Sequence, residues 1–148
     1  MAKKYRQVEN GLTVFSHRDF DLAFRRHPVS GKLLVKKGDE AVKQGLKNLV
    51  LTDRYERPFR PEFGGNVRAR LFDLFDSIVG DDFRRQLEIA IQNYESRRVK
   101  LEDDEITQTP AILVVEKPDQ NGLAITIRFR SIVTLTQNTM DINLNRVR

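Results

Sequence analysis

Apolar residues recur at helical spacing from Val42 to Tyr94 and at every second position from Val99 onward. That change of period constrains the fold more than any other feature of the chain. A repeat near 3.6 buries one stripe of a helix, and a repeat of 2 buries one face of a strand. Helices followed by alternating strands make an α+β domain, with N-terminal helices packed on a C-terminal antiparallel β-sheet.

The helical part holds three stripes. Val42, Leu46, Leu49 and Val50 make the first, leaving Lys43, Gln44, Lys47 and Asn48 to face outward. Val67, Leu71, Leu74, Phe75 and Ile78 make the second, and Phe83, Leu87, Ala90, Ile91 and Tyr94 repeat its offsets. Asp39 is the expected cap of the first helix, Asn66 of the second, and Asp81 or Gly80 of the third. The strand part begins with Val99 and Leu101 and continues with a dense apolar run over 111–117. A hairpin turn is expected at Pro118-Asp119-Gln120-Asn121-Gly122. Leu123, Ile125, Ile127 and Phe129 then alternate with polar or small residues, as do Met140, Ile142 and Leu144 in a short last strand. Such alternation predicts one buried and one wet face. Upstream, Phe20, Leu22 and Phe24 predict an extended segment with a buried side, and residues 27–32 predict a turn. Residues 1–18 read as a flexible arm, and 19–148 as one domain.

A chain of 148 residues is long enough for a real core. No apolar run approaches the roughly 20 residues needed to cross a bilayer, and no signal peptide is evident. Without cysteine there is no disulfide framework and no thiolate metal site. The net charge of +5 is uneven: residues 1–74 hold 16 Lys/Arg against 9 Asp/Glu, and residues 75–148 hold 10 against 12. The basic residues of the first half are scattered rather than gathered into a nucleic-acid footprint.

Catalytic chemistry is sparse. His17 and His27 read as solvated loop residues without a nucleophile or acid at motif spacing. Gly64-Gly65 lacks the Gly-Lys-Ser/Thr signature of a phosphate loop. Glu102-Asp103-Asp104-Glu105, read as a strand end, points its carboxylates to alternate faces. Glu56 and Glu62 would serve a glycosidase only across a sugar cleft, which the sequence does not supply.

The segment between the first two helices is more informative. It carries Glu56-Arg57-Pro58 and Pro61-Glu62-Phe63-Gly64. Each proline fixes its own φ and biases the preceding residue toward extended geometry. A loop stiffened in this way presents its charges with little further loss of entropy on binding. Its arginines, Arg57 and Arg60, are also spaced to pair with Glu56 or Glu62.

With Ala41-Val42-Lys43-Gln44-Gly45-Leu46 and Leu51-Thr52 before this loop, Leu71-Phe72-Asp73 after it, and Tyr94-Glu95, Arg98-Val99 and the closing Asn145-Arg146-Val147-Arg148 further on, the chain resembles the baseplate wedge, or sheath-initiator, family of contractile-tailed phages. The resemblance covers about residues 19–148. It implies a structural protein of a six-fold, hetero-oligomeric virion baseplate, assembled in the host cytoplasm, without a cofactor, metal, nucleic acid or membrane. Wedge proteins would be gripped by Glu56, Arg57, Pro58, Arg60, Pro61, Glu62 and Phe63. Tail sheath protein would add strands to Met140, Asp141, Ile142, Asn143, Leu144 and Asn145, with tube or hub proteins as further neighbours. The family also reaches the type VI secretion baseplate, a stress-response anti-adaptor, and members associated with lysozyme-like activity. The segment Val67–Asp73 is phage-like rather than secretion-like.

Overall fold

The computed structural model describes residues 6–9, 12–15, 17–71, 77–117 and 122–145. Two hairpins come first: β1 (Arg6–Glu9) with β2 (Leu12–Phe15), and β3 (Arg18–Phe20) with β4 (Val35–Lys37). The first lies within residues 1–18, the stretch read from the sequence as a flexible arm. Three helices follow, α1 (Asp39–Leu51), α2 (Val67–Arg70) and α3 (Ser77–Glu95). Strands β5 (Val99–Leu101), β6 (Ile112–Lys117), β7 (Gly122–Ser131) and β8 (Gln137–Asn145) form an antiparallel sheet.

The sheet is organised by β7, the longest strand. β6 pairs with residues 122–127 and β5 with residues 129–131, while β8 pairs with residues 122–130. Backbone bonds alternate in direction along an antiparallel strand. Arg128 N–H donates to Ala111 and Ile132 N–H to Arg98, so even-numbered residues of β7 face β5 and β6. Ser131 N–H donates to Thr136, so odd-numbered residues face β8. β5 and β6 therefore lie end to end along one edge of β7, and β8 occupies the other.

One face of this sheet carries Leu123, Ile125, Ile127, Phe129, Met140 and Ile142, all buried. Against it lie Val42, Leu46, Leu49 and Val50 of α1 and Phe83, Leu87 and Ile91 of α3. Burying each large side chain contributes about 1.5–3 kcal/mol. The opposite face stays wet, as the alternation predicts: Thr126 donates to Asp141 at 2.7 Å and Lys117 to Asn143 at 3.0 Å.

Several local expectations change. Asp39 does not cap α1; Gly38 stands at the N-cap without a side-chain bond. The Asp39 carboxylate instead accepts bonds from Thr134 (2.6 Å) and Thr136 in the β7–β8 turn and from Asn138 (3.2 Å) at the start of β8. Gln44 faces inward, donating to the Phe20 carbonyl. Asn66 makes no side-chain cap, and Gly80 and Asp81 lie inside α3 rather than before it. Leu74, Phe75 and the loop residues 118–121 lie outside the described residues. The strand pairing Lys117↔Gly122 nevertheless gives β6 and β7 the expected hairpin partnership.

The alternation at 19–24 is inverted. Phe20, Leu22 and Phe24 are exposed and Asp21 is buried, held by Arg25 at 2.6 Å and Lys36 at 3.9 Å. His17 is half-buried rather than solvated, and burial followed by the nearby Arg98 charge lowers its pKa. His27 is exposed and accepts the N–H groups of Val29 and Ser30, shaping the expected turn.

Candidate functional site

The proline loop grows out of the C-terminus of α1. Thr52 ends the helix, its hydroxyl returning to the Asn48 carbonyl at 2.6 Å. The base of the loop is tied back by Gly65 N–H to Leu49 (2.9 Å) and Asn66 N–H to Thr52 (3.4 Å). Gly64 has φ +131°, and a Cβ there would collide with the Thr52 carbonyl oxygen. Only glycine fits so close an approach at that backbone angle.

Between these anchors the chain folds on itself. Tyr55 N–H donates to Pro61 at 2.7 Å, closing residues 55–61 into a compact tip. Within it Arg60 N–H donates to Arg57 and Phe63 N–H to Arg60. Glu56 is used inside the loop: its carboxylate accepts the Asp53 N–H at 2.9 Å. Phe63 is buried and meets the Tyr94 ring of α3 edge-on, with centroids 5.0 Å apart. The Arg57 guanidinium lies 4.0 Å above the Phe63 ring, a cation–π contact that aims it. Among the described residues, Arg57 and Arg60 make no ion pair with Glu56 or Glu62. The pairing that their spacing allows is replaced by a backbone turn with one stacked arginine.

The loop therefore gathers the seven residues marked by the sequence but gives them different tasks. Glu56 and Phe63 hold the shape, while Arg57, Pro58, Arg60, Pro61 and Glu62 are exposed. It also exposes two aromatics that sequence reading did not single out, Phe59 at 97% and Tyr55. An aromatic enclosed by two prolines and two arginines was the available signal. Beside the tip, Tyr55, Pro61 and Glu62 face Gln86, Ile89 and Asn93 of α3 across an open groove of about 330 Å³. Glu62 lines this groove and Glu56 does not.

The second candidate is β8. Its even-numbered residues face β7, so Gln137, Thr139, Asp141, Asn143 and Asn145 direct their N–H and C=O groups to the open edge. Among the described residues no strand pairs with that edge. Met140 and Ile142 anchor the strand in the core, with Leu144 partly buried. At nine residues, β8 is longer than the short strand the alternation predicts. The loop and β8 are mounted at opposite ends of α1: the loop follows its last residue, and the β7–β8 turn is tied to its first. A 13-residue helix sets those ends roughly 20 Å apart.

Among the described residues, no group of three or more His, Asp or Glu side chains is placed to hold a metal ion. The acidic run 102–105 is a loop, not a strand end. Glu102 pairs with Arg130 at 2.9 Å, Asp104 with Arg128 at 3.1 Å, and Asp103 accepts the Ala111 N–H. No helix among the described residues is long and apolar enough to cross a membrane.

The sequence profile of the baseplate wedge protein gp25 family matches residues 36–135. This chain belongs to that family. The matched span runs from β4 to the β7–β8 turn and includes the whole proline loop. Baseplate wedge protein gp25 of Enterobacteria phage T4 is 33% identical over 95 residues, covering 64% of this chain and 65% of the relative, so the alignment spans just under two thirds of its length. Two solved structures share the fold, each at 18% identity. A Geobacter sulfurreducens protein described as a tail lysozyme has a TM-score of 0.62, covering 78% of this chain and 96% of its own. A chain of the six-fold symmetrised baseplate of the anti-feeding prophage has a TM-score of 0.57, covering 90% and 89%.

Proposed function

We propose that this protein is a structural component of a contractile-tail baseplate that joins wedge proteins to the first ring of sheath. Family membership supports the baseplate role. The division of labour rests on one observation: the charged proline loop follows the last residue of α1, and the turn that leads into the open-edged strand β8 is tied to its first. The loop offers Arg57, Phe59 and Arg60 from a preformed tip; arginine is enriched among binding hot spots and phenylalanine at interface cores. We assign this tip to wedge proteins. The edge of β8 offers a row of unpaired backbone groups, the template for β-strand addition. We assign this edge to sheath subunits, with tube or hub proteins as further neighbours.

In this reading the protein sits in the virion tail, assembles in the host cytoplasm and performs no catalysis. Its Glu56 carboxylate is spent on the Asp53 N–H, and Glu62 lies in a separate open groove. The test is the double substitution Glu56→Ala with Arg57→Ala. It should give a folded monomer that no longer enters wedge complexes in a pull-down, and normal assembly would refute the docking role. Purified protein that hydrolysed peptidoglycan, and lost that activity with Glu62→Gln, would instead favour an enzyme.

A further inference from the structure

The outward face of the β3–β4 hairpin is unaccounted for by either surface. Phe20 is 59% exposed, and Leu33 and Val35 are exposed with it. In the register of this hairpin Phe20 stands opposite Val35, and Arg18 opposite Lys37, so all four side chains share that face. Beside them runs an open groove of about 510 Å³ lined by Arg18, His27, Lys32, Lys37 and aliphatic residues, with no carboxylate among the described residues of its lining. Residues 17–37 carry six Lys/Arg against two aspartates. One of those, Asp21, is buried and neutralised by Arg25 and Lys36. The surface is thus apolar at its centre and cationic at its rim.

Its complement lies on the same chain. Asp81, Asp103, Asp104 and Glu105, with Arg84, line an open groove of about 440 Å³. Asp81 pairs with Arg84 and Asp104 with Arg128, so the surplus negative charge there comes from Asp103 and Glu105. Ile106, 94% exposed, stands next to Glu105. The two surfaces lie at opposite ends of α3. The acidic groove takes in Asp81 and Arg84 near the helix start. At the other end Glu95 pairs with Arg98, whose charge acts on His17, while the charge of Asp19 acts on Glu95. From Asp81 to Glu95 the helix rises about 20 Å, so one molecule cannot bring its own two ends together.

We infer that the cationic β3–β4 face of one copy docks on the acidic 102–106 end of a second copy. Lys32 and Lys37 face Glu105 and its neighbours, and Ile106 seats against Leu33, Val35 and Phe20. The contact is head-to-tail, joining two different patches, and such contacts generate rings when the rotation closes. It also gives a use to the uneven charge of the two halves, which neither wedge docking nor strand addition explains. The interaction is independent of the proline loop and of the β8 edge.

Sedimentation velocity on the purified protein tests this at about 20 mM and about 0.5 M salt, where exposed charges are respectively felt and screened. The expected result is concentration-dependent association at low salt that is lost at high salt. Lys32→Glu with Lys37→Glu should weaken it at least tenfold, and so should Asp81→Lys with Glu105→Lys. Every one of these side chains is exposed, and circular dichroism confirms folding. Mixing the two charge-reversed variants should restore association, because each then presents the complement of the other. A monomer at low salt and high concentration, reversed variants that associate like wild type, or a mixture that does not recover would each overturn the inference. Binding of purified wedge proteins through Lys32 and Lys37, without self-association, would assign the face to another partner and overturn it as well.

Discussion

The Thr134 hydroxyl donates to the Asp39 carboxylate across 2.6 Å, joining residues 95 apart in the chain. With Thr136 and Asn138 it fastens the β7–β8 turn, and so the root of β8, to the first residue of α1. Burial alone would raise the Asp39 pKa, but these bonds outweigh it and lower the pKa from 3.8 to about 2. A depressed carboxylate adds stability above its unfolded pKa and loses it as pH falls through the folded value. Asp39→Ala is expected to cost about 1–2 kcal/mol at pH 7, discounted for partial exposure. The difference from wild type should shrink between pH 4 and pH 2, as read from urea melts along a pH series.

Glu95 titrates the other way. Burial raises its pKa above 4.5, and the Arg98 charge only partly offsets this. Ionised Glu95 therefore disfavours the fold, an effect absent below the unfolded pKa and complete above the folded one. Glu95→Gln should raise the melting temperature at pH 7 and leave it unchanged near pH 4. A lower melting temperature at pH 7 would show that the Arg98 pair outweighs burial.

Phe59 and Phe63 separate display from support within one loop. Phe59→Ala should change stability by less than about 0.5 kcal/mol, since its side chain is in water. Wedge binding in a pull-down should nevertheless fall. Phe63→Ala removes a buried ring and the seat of Arg57, so it should cost about 3–5 kcal/mol. Denaturant melts of the two variants make the comparison.

Asn143 and Ile142 give the same contrast on β8. Proline at 143 removes an N–H that points to the open edge, so the monomer should fold while sheath recruitment fails. Proline at 142 removes an N–H bonded to β7 and a buried side chain, so that variant should not fold. Cutting the chain after Gln137 would be less informative, because it deletes the core residues Met140 and Ile142. Circular dichroism and tail assembly in vitro read both outcomes.

What the sequence made legible was whatever depends on periodicity. The stripes of α1 and α3 and the inward faces of β7 and β8 turn to the core the side chains their spacing marks, with Tyr94 and Leu144 partly buried at its margin. Misreadings arose where a short polar side chain chose a distant partner over a local one. Asp39 had the position of a cap, but residues 134–138 compete for it, and nothing near Asp39 announces them. Asp21 reversed the phase of its segment because Arg25 and Lys36 make a buried carboxylate tolerable. An alternating pattern in a surface hairpin shows two faces without saying which is inward. The proline loop was legible as a stiff, charged element. The roles of Glu56 in shaping it and of Phe59 in display required the backbone turn from Tyr55 to Pro61.

The alternation along β8 has an evolutionary consequence. Residues 138, 140, 142 and 144 face the core with their side chains and bond to β7 with their backbones. Residues 139, 141, 143 and 145 turn both side chain and backbone outward. One strand thus carries two interleaved messages, one read by the fold and the other, in the role proposed for this edge, by the partner that adds to it. Substitutions in the second set can retune the choice of partner while the first set holds the architecture constant. A lineage can therefore follow a drifting partner without passing through unfolded intermediates.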